Sequence, residues 1–489
     1  MNYSEFLKMI PEAFLVLALI LVFIGDFCLY KSERKNDVLS KLTAALLVVV
    51  GVMTTTASPE SAFGGLYVSS DAVNIMKVIL TFGTLIVVIM AQPWLEGAIR
   101  IESRQFVNCK YAGEFYILVL STLLGMFVMM SSGNFLLFFL GLEMASVPMA
   151  CMVAFDKWKQ NSAEAAAKYI LTATFSSGVM LYGISFIYGF AGTFYFDDVA
   201  IQLSAANSQL LPLPIMGLVF FFSGLGFKIS LVPFHFWTAD TYQGAPTPVT
   251  GYLSVISKGA AALTLCVILM KVFAPMVAYW EYLLYIVIVL SITVANLFAI
   301  RQSELKRFMA FSSISQAGYI MLAVVGNNQL GVAALTYYVL VYIVANMAVF
   351  TVINVVEQSN GGRTDMAAYN GFYQTNPKLS FLMTLALFSL AGIPPFAGMF
   401  SKFFVFMAAA QQGSAAAYFV VFIALVNTVV SLYYYLLIVK AMYITKTDTP
   451  LPTFRSDLST KIALAICTTG IALFGIASFL YEWIAAAAL

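Results

Sequence analysis

Residues 224–249 read GLGFKISLVPFHFWTADTYQGAPTPV. Lys228 stands in the middle of this apolar run, ahead of Pro233 and of His235, the only histidine in the chain. What such a lysine does depends on whether water reaches it. Composition says that most of the chain is out of water: of 489 residues, 61% are hydrophobic and 10% charged, with a mean hydropathy of +0.91. An ordinary globular domain is about 45–50% apolar and about 25% charged. Apolar stretches of about 20 residues, long enough to cross a core of roughly 30 Å, recur from end to end. They are too long and too evenly apolar for the alternating segments of a β-barrel. The chain reads as an all-α polytopic membrane protein.

Working outward, the hydropathy pattern predicts fourteen spans, at 10–30, 39–56, 72–92, 114–131, 135–155, 164–190, 213–232, 250–273, 280–300, 308–326, 331–356, 379–410, 416–442 and 461–484. The first reads as a span and not a signal peptide, because MNYSEFLKMIPE has no basic n-region and no A-x-A site follows. Basic residues sort by loop. Eighteen of the 25 lysines and arginines, Arg100, Arg104 and Lys110 among them, fall in connections after odd-numbered spans, and only Lys8 and Lys271 fall on the other side. The positive-inside rule then predicts odd loops in the cytoplasm and both termini outside. The stretch 191–212, with two aspartates and no basic residue, fits an outer loop.

Five lysines remain within predicted spans: Lys77, Lys168, Lys228, Lys258 and Lys402. Glu143, in FLLFFLGLEMASVPMACMVAF, reads as the one carboxylate deep in a span. Each charge near a span centre costs about 2.5–3.5 kcal/mol, and four cost roughly 10–14 kcal/mol, comparable to the stability of a whole ordinary domain. Such a set needs a use. Burial penalises the charged form of a lysine and a nearby carboxylate favours it, so changing the carboxylate's influence loads or unloads a proton. Glu143 and Lys228 are the natural pair for that chemistry.

Two lysine-bearing spans are also broken. Pro233 interrupts the seventh, and the twelfth contains LAGIPPFAGMFSK, with Pro394 and Pro395 ahead of Lys402. As one helix the twelfth would be about 48 Å long, too long for the core. Proline frees backbone carbonyls at membrane depth, and irregular backbone survives there only where protein or a watery cavity satisfies it. The broken spans lie five apart and cross in opposite directions. This suggests two inverted five-span units, helices 4–8 and 9–13, with Lys228 and Lys402 in equivalent places. The predicted segments are 1–112 (helices 1–3), 113–275 and 276–443 (the two units), and 444–489 (helix 14).

Other chemistries find little support. Cys28, Cys109, Cys151, Cys266 and Cys467 are scattered without a CxxC pair, so no zinc, haem or iron–sulfur site is expected on this chain. No GxGxxG or Walker motif appears, and a net charge of +2 speaks against a nucleic-acid partner.

The stretch 224–249, the following VISKGA, LKRFMAFSSISQAGYI and LFSLAGIPPFAGMFSKFFVF together resemble the antiporter-like subunit family of respiratory complex I, the bacterial proton-translocating NADH:quinone oxidoreductase, and most nearly its subunit-N branch. The resemblance spans about 100–445. It implies a fourteen-helix fold with two inverted repeats, a hydrated central axis and an inner-membrane location. It also implies partners among the other membrane-arm subunits, further antiporter-like ones included. NADH, FMN, iron–sulfur clusters and quinone would be bound by other subunits, with no cofactor on this chain. Matched to the family, the proton-transfer residues are Glu143 (helix 5), Lys228 (helix 7), Lys258 (helix 8) and Lys402 (helix 12), with Lys168 as a further lysine. Some relatives carry a histidine in the helix-10 motif where this chain has Gln316, so a relay there would need bound water.

Plainer readings stand beside these. Lys168 follows Glu164 at i,i+4, an ordinary helix-surface pair. Lys77, near the outer end of the third span, is expected to snorkel. His235 either caps freed carbonyls or serves as a stepping stone between Lys228 and Lys258. The 42 phenylalanines and 26 tyrosines read as lipid-facing and packing residues. The rival functions are an Mrp-type or free-standing cation/proton antiporter on the same fold, and a membrane-arm scaffold, which would have no use for five buried lysines.

Overall fold

The computed structural model describes residues 3–97, 111–205, 210–447 and 450–488. Arg100, Arg104, Cys109 and Lys110 lie outside the described residues. Among the described residues, nineteen α-helices account for nearly all of the regular structure. The first three, α1 (Ile10–Cys28), α2 (Lys35–Thr55) and α3 (Asp71–Gly97), form an N-terminal group. A two-residue hairpin, β1 (Ser61–Ala62) and β2 (Tyr67–Val68), fills the loop between α2 and α3.

Next come α4 (Ala112–Met130), α5 (Phe135–Val153), α6 (Gln160–Ala191), the short α7 (Phe196–Ser204), α8 (Pro212–Ile229), α9 (Phe236–Gly244) and α10 (Thr247–Lys271). The second half holds α11 (Val277–Ala299), α12 (Leu305–Val325), α13 (Gln329–Ser359), the one-turn α14 (Phe372–Thr375), α15 (Pro377–Ala391), α16 (Ala397–Ala410) and α17 (Ala415–Tyr443). The chain closes with α18 (Leu458–Ile476) and α19 (Ser478–Ala488). Among the described residues, thirteen helices are long and apolar enough to cross a membrane. The predicted twelfth span is two pieces, α15 and α16, each about 21–23 Å long and too short to cross a core of roughly 30 Å by itself. The predicted fourteenth span, 461–484, is interrupted at Ala477, between α18 and α19.

Caps set several starts. The side chains of Asn328 and Ser414 accept the backbone N–H groups of Gly331 (2.8 Å) and Ala417 (3.1 Å), opening α13 and α17. The two internal breaks share one grammar. At the end of α8, Ser230 is left-handed (φ 69), its N–H donates to Phe227 O (3.0 Å), and Leu231 N–H donates to Gly226 O (2.8 Å). At the end of α15, Gly392 is left-handed (φ 88), its N–H donates to Ser389 O (3.0 Å), and Ile393 N–H donates to Phe388 O (3.0 Å). Both are Schellman closures, with prolines two to three residues further on that forbid the helix from continuing. Gly398 lets the second half-helix close on the first, since a Cβ there would stand 1.7 Å from Ser389 O.

Burial places the core between the two halves. Helix α12 is buried on every side, and α10 and α13 nearly so, whereas α1, α2, α6, α17 and α18 keep long exposed apolar faces. A helix apolar all round belongs at the centre of a large bundle. The tyrosines divide: Tyr116, Tyr169, Tyr242, Tyr252, Tyr319, Tyr434 and Tyr435 are fully buried, while others, such as Tyr182, Tyr282 and Tyr418, are exposed. The buried ones pack, as expected, and their hydroxyls meet polar partners inside.

Candidate functional site

The second half of the molecule explains how Lys402 is held. It lies one turn into α16, and its Nζ reaches back to donate to Ala391 O (3.0 Å), the last residue of α15. That carbonyl sits at the negative end of a helix, where a cation is favoured. The Tyr319 ring lies 5.0 Å from the ammonium. Lys228 holds a different position relative to its break, in the last turn before Ser230 and not after the proline. Relative to the two breaks the lysines therefore differ in register: Lys228 precedes Ser230, and Lys402 follows the prolines.

Lys228 is buried, and its Nζ donates to Ser146 Oγ (2.8 Å) and Tyr169 OH (3.3 Å). Ser146 stands one turn along α5 from Glu143, whose Oε1 is buried without a hydrogen-bond partner. No hydrogen bond or ion pair joins Glu143 to Lys228 among the described residues; the hydroxyls of Ser146 and Tyr169 take the lysine's hydrogen bonds.

Lys258, on α10, has no carboxylate partner among the described residues. Its Nζ donates to Ser313 Oγ (2.7 Å) and lies 5.4 Å from the centre of the Tyr242 ring. Ser313 also meets Tyr242 OH (3.3 Å) and donates to Ser254 O (3.2 Å). One turn further along α12, Gln316 Nε2 donates to Leu390 O and Tyr435 OH (both 3.3 Å), and its Oε1 accepts the Tyr338 hydroxyl. Gln316, Tyr338, Tyr342, Ser401 and Lys402 line a cavity of about 10 Å³, room for about one water. Polar groups therefore run from Lys258 through Ser313 and Gln316 to the pocket that holds Lys402. On the other side Tyr242, which meets Ser313, and Tyr169, which meets Lys228, both pack against the Trp237 ring, with centroids 6.4 and 5.2 Å away.

His235 is buried at the start of α9, within electrostatic range of Lys258, and its Nδ1 is without a partner. Phe227 O, which already takes the Ser230 N–H, also accepts the Trp237 indole N–H (3.0 Å), and the His235 ring reaches the Pro233 carbonyl within the break. Lys168 is not interior: its side chain is 44% exposed and pairs with Glu164 and Asp240, both at 2.8 Å. The i,i+4 pair with Glu164 is present, and Asp240 also binds Arg307 (2.6 Å).

Lys77 departs from expectation. It does not snorkel; its side chain is 0% exposed and its Nζ pairs with Glu12 Oε1 at 2.7 Å. Tyr67 OH donates to Glu12 Oε2 (3.0 Å) and accepts from Lys77 (3.3 Å). Glu143, half-buried, is therefore not the one carboxylate inside a span, since Glu12 lies buried in the first turn of α1. Ser146, Tyr169, Tyr242, Ser313 and Tyr338 were not singled out by sequence; their signal was hydroxyls recurring in apolar helices near each lysine. Among the described residues no cluster of three or more histidine, cysteine or acidic side chains could hold a metal ion.

Comparison with known proteins fits this geometry. Residues 132–431, more than half of the chain, match the family described as NADH:quinone oxidoreductase/Mrp antiporter, transmembrane. The protein named NADH-quinone oxidoreductase subunit N of Phocaeicola vulgatus is 55% identical over 482 residues, covering 99% of this chain and 98% of that one. A chain of respiratory complex I from Thermus thermophilus, solved with bound aureothin, superposes with a TM-score of 0.76 at 30% identity, over 96% of this chain and 98% of that one. A chain of the Mrp complex from Dietzia sp. DQ12-45-1b shares the fold (TM-score 0.81) at 20% identity, over 100% of this chain and 97% of that one.

Proposed function

The chain belongs to the NADH:quinone oxidoreductase/Mrp antiporter transmembrane family, and from that premise we infer that it is an antiporter-like, subunit-N-type component of the membrane arm of a bacterial proton-translocating NADH:quinone oxidoreductase. The observation that carries this reading is the line of buried lysines, Lys228, Lys258 and Lys402, bridged by hydroxyls and Gln316 and lacking direct carboxylate contacts. Lysines that cannot hand protons to one another directly, because like charges repel, pass them through such groups and intervening water. Glu143 biases Lys228, and His235, with its unpartnered Nδ1, is an auxiliary group near Lys258. Lys168, exposed and doubly paired, acts at the surface, where a neighbouring subunit's charges would reach it.

In this reading the chain performs no redox chemistry and binds no cofactor. NADH, FMN, iron–sulfur clusters and quinone belong to other subunits, and coupling arrives as changes in hydration and electrostatics. The matched Schellman closures at 230 and 392 support two inverted units, 113–275 and 276–443, after an N-terminal group 1–112 and before the closing segment 444–489. Lys228 would serve the cytoplasmic side and Lys402 the outer side of the bacterial inner membrane, with both termini outside. The similarity at 55% identity favours complex I over an Mrp-type antiporter.

The test is Lys228→Ala in the intact complex, in sealed vesicles. Assembly is expected to stay near normal while proton pumping and quinone-linked turnover fall together. Wild-type pumping per electron with wild-type turnover would remove the central-carrier role.

A further inference from the structure

A second polar line descends to Lys258 from the basic-rich end of the molecule, between the two five-helix units. At its mouth Glu357, in the last turn of α13, accepts the Thr247 hydroxyl and lies 3.7 Å from the Lys306 ammonium. Lys306 also donates to Ala245 O (2.9 Å), beside which Thr250 Oγ1 donates to Tyr242 O (3.1 Å) and Pro246 O (3.2 Å), with Ala245 O itself at 3.5 Å. One turn deeper, Ser254 Oγ accepts the Asn346 side-chain amide and Ser254 O accepts Ser313, which holds Lys258.

Helical spacing accounts for the alignment. Thr247, Gly251, Ser254 and Lys258 share one face of α10, with Thr250 beside it; Lys306 and Ser313 share one face of α12; Asn346 and Glu357 share one face of α13. From Thr247 to Lys258 the line is about 16 Å long at 1.5 Å per residue. Only its mouth is wet: the Glu357 side chain is 16% exposed, while Thr250, Ser254, Ser313 and Asn346 are fully buried. The line is interrupted at Gly251, where Met347 Sδ, Met90 Cε and Phe350 Cβ close to 3.2, 3.3 and 3.6 Å of the place a Cβ would occupy.

We propose that this line is a separate proton-uptake port for Lys258, with Glu357 taking the proton from solution, Thr250 and Ser254 as hydroxyl steps, Lys306 as a positioning residue, and the apolar turn at Gly251 as its gate. It rests on the reading of Lys258 as a proton carrier. A proton captured by the Glu357 carboxylate leaves it for the hydroxyl and water chain and ends on the free amine of Lys258, so carboxylate and ammonium are regenerated at the two ends. The gate keeps the port dry between transfers and passes a proton only when that turn hydrates. The charged and titratable groups facing Glu357 are Lys306 from α12, Lys159 from the α5–α6 loop and Tyr369 from the turn 366–369. Burial works against the Lys159 ammonium, but Asp156 at 3.0 Å and Glu357 outweigh it and raise its pKa above the ordinary lysine range.

The experiment uses the complete complex in inverted membrane vesicles, where the basic face meets the medium, with pumping normalised to assembled complex. Glu357→Gln and Thr250→Val are each expected to lower pumping several-fold, more deeply as the medium pH rises and protons become scarce. Glu357→Asp should restore most of it. Glu357→Gln pumping at the wild-type rate across the pH range would overturn the port. So would lower assembly with unchanged pumping per complex, which marks Glu357 as a structural anchor. If Glu357→Gln fails to assemble, Thr250→Val, which trades a hydroxyl for a methyl of the same shape, decides between the same two results. Lys258→Ala is the reference: loss of pumping there with both port variants normal refutes the port alone, whereas normal pumping in Lys258→Ala refutes the carrier reading and the port with it.

Discussion

Lys77 and Lys258 are equally buried, yet removing each should have opposite consequences. Lys77 is one half of an ion pair: Glu12 at 2.7 Å, Tyr67 at 3.3 Å, and the rings of Tyr67 and Phe127 at 5.4 and 5.6 Å. The cluster joins α1, β2 and α3, and Ser131 adds a longer 3.5 Å contact from the start of the α4–α5 loop. Replacing Glu12 by Gln strands an ammonium with no exposed surface, and breaking a buried pair on one side costs about 3–5 kcal/mol. At about 1.4 kcal/mol per tenfold, local opening of this corner rises by roughly two to three and a half orders of magnitude. The double replacement Glu12→Gln with Lys77→Met leaves no stranded charge and should recover most of the loss. Lys258→Met, by contrast, removes a cation with no counterion and relieves about 2.5–3.5 kcal/mol of insertion cost, so assembly should hold or firm up while pumping is lost. The assay is retention of the subunit in the detergent-solubilised complex over a temperature ramp, alongside pumping per assembled complex. Glu12→Gln assembling normally, or the double variant behaving no better than the single, would refute the argument that pairing separates the structural lysine from the working ones.

Two further outcomes follow from the same geometry. Gln316→Leu should impair pumping with assembly intact, because the apolar side chain loses the Tyr338, Tyr435 and Leu390 partners and dries the Lys402 cavity, whereas Gln316→His should keep much of it; equal pumping in both, measured by fluorescence quenching, would exclude this position from the route. Gly398→Ala places a methyl 1.7 Å from Ser389 O and should sharply lower the amount of assembled complex, while Gly189→Ala, with open space at its Cβ, should leave the amount unchanged on native gels.

Much of this architecture was written locally. Hydropathy acts on each segment by itself, so the spans were legible from composition over about 20 residues. Proline and its left-handed partner residue act within a turn, so the breaks at Pro233 and at Pro394–Pro395 could be read without knowing what packs against them. Lys228, Lys258 and Lys402 stood out because an uncompensated charge in an apolar run is costly wherever the chain folds. Pairing is different, because it depends on which helices meet. Glu12 and Lys77 are 65 residues apart, on α1 and α3, and nothing in either span announces the other; only their packing turns a supposed snorkelling lysine into a buried ion pair. Tertiary contact likewise decided that Lys168 faces outward to Glu164 and Asp240, that Ser146 and Tyr169 take the hydrogen bonds of Lys228, and that Ser313 joins Lys258 to Gln316. A hydroxyl in a span is cheap enough to pass unnoticed in sequence, and it becomes part of a route only when a neighbouring helix brings a charge within about 3 Å of it.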